Sequence, residues 1–162
     1  MKKLTSIILS AVLLLALAAC GGKGGETAKD APDLNQYYED FMASLGADNT
    51  PAMMDVETDL VGQVYPGLEN YATKQAVLKT AAITSVPCEF ALVELEDAAS
   101  AQAVAEIFQA RIDAQINGGA FYPMTVEGWQ KAEIITQGAV VALICAGEQQ
   151  AEAVSAFNAL FA

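Results

Sequence analysis

No histidine occurs anywhere in the 162 residues, and that absence removes a good deal of chemistry. It takes away the commonest general base, the usual zinc ligand, and the Ser-His and Cys-His nucleophile pairs together. No serine or threonine stands in a nucleophile elbow or beside a catalytic lysine motif. Cations are also scarce. Eight lysines and arginines face twenty aspartates and glutamates, a net charge of −12, and Arg111 is the single arginine. So acidic a chain repels phosphate, which argues against nucleic acid as a partner. The plain use of the charge is solubility, and the sharper one is attraction of a cationic partner. No residue is expected to be catalytic, and no metal or cofactor is expected.

What the N-terminus has is an uncharged run that is too short. Lys2 and Lys3 give a positive start, and Leu4 to Ala19 carries no charge. That run falls short of the roughly 20 residues that cross a bilayer as a helix. A basic start, a short apolar run and small residues at its end read as an export signal, to be left out of the fold. The closing residues, Leu17-Ala18-Ala19-Cys20, resemble the lipobox of bacterial lipoproteins. That resemblance implies cleavage between Ala19 and Cys20 and a lipid on the Cys20 thiol. Loss of Lys2 and Lys3 would take the net charge from −12 to −14. Stable anchoring needs two or more acyl chains, since one holds only marginally. Residues 1–19 are thus expected to be a signal peptide, and residues 20–33 a lipidated cysteine and flexible linker through Gly21-Gly22-Lys23-Gly24-Gly25. Residues 34–162 are expected to form a single domain.

Within that domain Asp33 and Gln36 are placed to cap a helix. Leu34, Tyr37, Tyr38, Phe41 and Leu45 recur at helical spacing, and Gly46 ends the run. A second short helix is expected from Val56 to Val64, capped by Asp55. Lys74–Ala82 and Glu89–Leu95 read as strands joined by a turn through Ser85-Val86-Pro87. Ala98 to Asn117 is the clearest helix. Residues 120–130 are a loop or short helix. Ala132–Thr136 and Ala139–Cys145 form a hairpin around Gln137-Gly138, and Glu148–Phe161 a last amphipathic helix. The expected fold is α+β: a four-stranded, mainly antiparallel sheet, strand-strand-helix repeated, with helices packed on one face and two short helices preceding it.

This order, with "VYPGL", "CEFALVELED", "ARIDAQ", "FYPMTVEGWQKAEII" and "QGAVVALICA", resembles an uncharacterised domain of Firmicute cell-envelope lipoproteins, a domain of unknown function. The resemblance runs from about Met53 to the end. It implies an anchored extracytoplasmic domain and implies no reaction.

Several residues stand out from this pattern. "DVETD" (Asp55, Glu57, Asp59) alternates acids as a calcium loop does, but Leu60 and Pro66 occupy the positions where that loop needs glycine and glutamate. Glu94, Glu96 and Asp97 read as a solvated strand end. Phe121, Tyr122 and Trp129 gather large rings in a loop and are candidates for binding, the alternative being that they roof the sheet as core. Cys88 and Cys145 are expected at the same end of the sheet. A disulfide needs Cα atoms within roughly 4.4 to 6.8 Å, so a bond and two buried thiols both stay open, with buried thiols preferred. On the helical wheel Arg111 lies on the apolar line of Val104, Ile107 and Phe108, with Gln115 on the same line. A guanidinium there needs acceptors. The first choice is Glu89, the second the carbonyls of residues 118–128, and the result would be a clamp fixing that loop.

The function this supports is a membrane-anchored, non-catalytic binding module meeting another envelope protein or peptide. A small-ligand or solute binder associated with a transporter is the alternative.

Overall fold

The computed structural model describes residues 31–162. The expected signal peptide, the expected cleavage and lipidation site at Ala19 and Cys20, and the expected linker up to residue 30 lie outside the described residues. At Asp33 the carboxylate accepts from the Gln36 amide at 2.9 Å and opens helix α1, Leu34–Ser44. A short strand β1, Met53–Asp55, follows, then a helical turn with α2, Val61–Val64. Strands β2 (Thr73–Ala81) and β3 (Cys88–Leu95) lead into α3 (Ala101–Ala114) and α4 (Pro123–Gln130). Strands β4 (Glu133–Gln137) and β5 (Val140–Ala146) and helix α5 (Gln150–Ala159) complete the chain.

The strands make one antiparallel sheet in the order β1-β2-β3-β5-β4. It has five strands where four were expected. The extra one is β1, whose Met53, Met54 and Asp55 pair with Ala81, Thr80 and Lys79. This also corrects the role of Asp55. It is a strand residue in ion pair with Lys79, and the backbone of Val56 donates to Leu78, so helical turns begin only at Thr58.

The second correction concerns the faces. Side chains alternate along a strand, and in β3 Phe90 and Leu92 join one core while Ala91, Val93 and Leu95 join another. β5 divides in the same way, Ala142 and Ile144 against Val141 and Leu143. Helices α1 and α5 cover the first face, and α3 and α4 the second, so helices lie on both faces and not on one. All eight residues of β3 and all seven of β5 are buried. Strand-strand-helix is not repeated as a unit, because α4 stands between α3 and β4 and because α3 and α5 cover opposite faces. Nor do two short helices precede the sheet, since β1 separates α1 from α2.

The chain enters the domain at one end of this sheet. The Gln75 side chain accepts from the Leu34 amide at 3.0 Å and donates to the Pro32 carbonyl at 3.1 Å, as a neighbouring strand would. Gln75 also donates to Glu94 at 2.8 Å, and Lys74 approaches the same carboxylate at 3.2 Å. Glu94 is therefore buried and bonded, not part of a solvated strand end, whereas Glu96 and Asp97 are exposed. The opposite end, where β3 begins and β5 finishes, carries α4.

Candidate functional site

At that opposite end, Thr80, Glu89 and Cys145 are paired neighbours across β2, β3 and β5 on the face that α3 and α4 cover. Glu89 is 1 % exposed, an acid in an apolar strand. Arg111 reaches it from α3: Nε donates to Oε1 at 3.0 Å and a terminal nitrogen to Oε2 at 2.7 Å. The Tyr65 hydroxyl, from the turn after α2, donates to Oε1 at 2.9 Å. The guanidinium lies 5.6 Å from the Trp129 ring centre and 5.9 Å from that of Tyr65, within cation–π range. One carboxylate thus gathers β3, α3 and the α2 turn, with α4 stacked on the guanidinium.

The electrostatics follow from burial. Burial alone would lower the Arg111 pKa, but the hydrogen bonds and charge of Glu89 more than offset it and raise it. The Tyr65 phenol is raised first by burial and then by the Glu89 charge, so it stays a donor. Both Glu89 oxygens are occupied, so the carboxylate ties the three elements together through charge-assisted hydrogen bonds. Gln115 is not bonded into this set. Its side chain lies against Gly119, where an added Cβ would sit 2.7 Å from its Nε2. The carbonyls of residues 118–128 do not receive Arg111; its bonds go to Glu89.

Cys88 and Cys145 are both free and buried. They lie at the same end of neighbouring strands, but Cys88 opposes Ala146 and Glu89 opposes Cys145. That one-residue offset turns the two thiols to opposite faces. Cys145 Sγ donates to the Pro87 carbonyl at 3.4 Å. Burial first, then the Glu89 charge, pushes the Cys88 thiol from its ordinary 9.0 up to about 12; burial raises Cys145 as well. In a Cys20→Ser chain we therefore expect two thiols on denaturation, the same number with and without reductant, and slow alkylation before it. The linkage has a definite sign. Above about pH 9 the unfolded chain releases thiol protons that the folded chain keeps, so stability should fall with rising pH by ~1.4 kcal/mol per unit for each thiol. A urea midpoint equal at pH 8 and pH 10 would contradict this account.

The three candidate rings are separated by the structure. Trp129 is buried against Arg111, whereas Phe121 is 88 % and Tyr122 59 % exposed. Met124, which the sequence reading did not single out, is 76 % exposed. The helix that carries Met124 is firmly mounted. The Thr125 hydroxyl donates to the Ser85 carbonyl at 2.8 Å, and Gly128 sits so close to Pro87 that a Cβ there would be 2.4 Å from the proline ring. Only glycine allows α4 to press onto the turn before β3. Gly118, at φ 146, bends the chain between α3 and α4.

Beside Met124 opens a cleft of ≈ 400 Å³ between the end of α1, the 85–88 turn, α4 and the 146–149 turn. Phe41, Leu45, Val86 and Pro87 form its apolar lining, and Glu127, Lys131 and Glu148 its charged groups. Among the described residues no group of three or more His, Cys, Asp and Glu side chains is gathered as a metal site, and no helix is long and apolar enough to cross a membrane.

Residues 46–146, more than half of the chain, match the family described as "Domain of unknown function (DUF4358)". No curated protein and no solved structure matches the chain.

Proposed function

The chain belongs to the DUF4358 family, and from that premise we propose that it is a lipid-anchored, extracytoplasmic, non-catalytic module that binds another envelope protein or peptide. The observation that carries the binding reading is the position of Phe121, Tyr122 and Met124. Three large apolar side chains stay exposed, Phe121 and Tyr122 just before α4 and Met124 on it at the cleft, and α4 is fixed to the sheet end by Thr125, Gly128 and Trp129. Exposed aromatic side chains are among those that dominate protein contacts. The anchor reading rests on Leu17-Ala18-Ala19-Cys20 and the short apolar run before it.

Two experiments test the two halves. Cys20→Ser should release the domain into the medium or leave the precursor uncut; a variant processed as before and still bound to the membrane ends the anchor reading. A photo-cross-linking residue at Tyr122 in the native envelope should trap a protein that the same residue placed at Glu106, on α3, does not. Equal yields from both positions would count against a binding face at Tyr122. The cleft favours a second reading, a small-solute binder associated with a transporter, because its volume falls within the ~300–1,000 Å³ of ligand pockets. A thermal-shift screen separates the two, since a true solute stabilises the fold by mass action.

A further inference from the structure

We propose that the occupant of the cleft beside α4 is a short, apolar and basic segment of a partner polypeptide. This rests on the binding reading above and adds the chemistry of the partner. Among the described residues six large apolar side chains are exposed, and four of them fall in two segments that flank the cleft lining: Ile83 in the β2–β3 turn, and Phe121, Tyr122 and Met124 in the approach to α4 and its first turn. The apolar side of the occupant follows from these and from the Phe41, Leu45, Val86 and Pro87 lining.

Its charge follows from what the surface lacks. Beyond residue 30 the only cations in the sequence are Lys74, Lys79, Arg111 and Lys131. Three of them are consumed in ion pairs with Glu94, Asp55 and Glu89. Lys131 stands on the cleft alone against Glu127 and Glu148, both exposed. A second copy of this chain would bring another strongly acidic surface against the first, and an anionic bilayer would be repelled in the same way. A segment with lysine or arginine flanking apolar side chains meets both features.

The cleft lies away from the point where the chain enters. Pro32 and Leu34 are tied to Gln75 near the start of β2, and the cleft opens at the other end of that strand, about 20 Å away at the rise of a β-strand.

The test uses the full chain in detergent and two labelled peptides, one of alternating leucine and lysine and one with glutamate in place of lysine. The lysine peptide should bind by fluorescence anisotropy and the glutamate peptide should not. Phe121→Ser with Met124→Ser, and separately Glu127→Lys with Glu148→Lys, should each weaken binding about tenfold, as loss of central contacts does. All four sites are exposed, so unchanged circular dichroism is expected. Glu96→Lys with Glu106→Lys makes the same charge change elsewhere and should weaken binding far less. The proposal is overturned if that control weakens it equally, if the glutamate peptide binds as well, or if the cleft is blocked by a concentration-dependent dimer. A partner cross-linked at Tyr122 through a segment without lysine or arginine would end this inference and leave the binding reading standing. No cross-link and no peptide binding would end both.

Discussion

Arg111→Met should lower the stability of the domain by about 3 to 5 kcal/mol, the range found when one partner of a buried ion pair is removed. The cost lies less in the lost attraction than in what stays behind. Glu89 would be left at 1 % exposure without its cationic partner, with the Tyr65 hydroxyl as its remaining side-chain donor. Methionine preserves most of the stem volume, so the packing against Trp129 and Tyr65 is largely retained and the charge is what changes. Adding Glu89→Gln removes the unpaired acid and leaves an amide oxygen to accept from Tyr65, so the double variant should recover much of the loss. Urea unfolding followed by Trp129 emission measures both. A loss below about 1 kcal/mol, or a double variant no better than the single one, would show that the pair does not hold these elements together.

Much of that network can be read in the sequence because each member is an anomaly. Arg111 is the only arginine, set on an apolar helical stripe, and Glu89 is an acid opening an apolar strand. Tyr65 carries no such mark. In "VYPGL" the proline and glycine signal a break, and nothing in the spacing says that the ring before them turns inward to a carboxylate. Met124 escapes for a related reason, since its exposure depends on how α4 meets the 85–88 turn, a contact between segments distant in sequence.

The fold divides along similar lines. Helices α1, α3 and α5 and strands β2 to β5 follow from apolar spacing and turn residues, because their stability draws on long local patterns. β1 is three residues long and exists only through its pairing with β2, so no local period announces it. Helices on both faces are legible in the central strands themselves. "CEFALVEL" and "VVALICA" scarcely alternate, and a strand that is apolar on both sides is one buried on both sides. A sheet covered on one face would show polar residues at every second position of its central strands.

Phe90→Ala should cost about 3 to 5 kcal/mol, the range for removing a buried aromatic side chain. Phe90 is fully buried and its ring lies 6.5, 5.5 and 5.6 Å from those of Tyr37, Tyr38 and Phe41 along α1. Three rings of that helix meet it, and the helix is held further by the Tyr37 hydroxyl on Ala153, the Tyr37–Phe157 contact and the Gln75 clasp. The family match begins at residue 46, after α1, and ends at residue 146, before α5, so both helices of this face lie outside the matched segment. The matched residues include the whole sheet, yet one side of it is covered by helices from beyond the match. If that cover is as integral as its burial implies, Phe90→Ala lowers the single unfolding transition seen by circular dichroism and by Trp129, which sits on the other face, by the same amount. If α1 is instead a separable flap, the helical signal falls first and the Trp129 transition stays where it was. Coincident transitions make the sheet and both its layers one cooperative unit, and split transitions would show that the two faces fold independently.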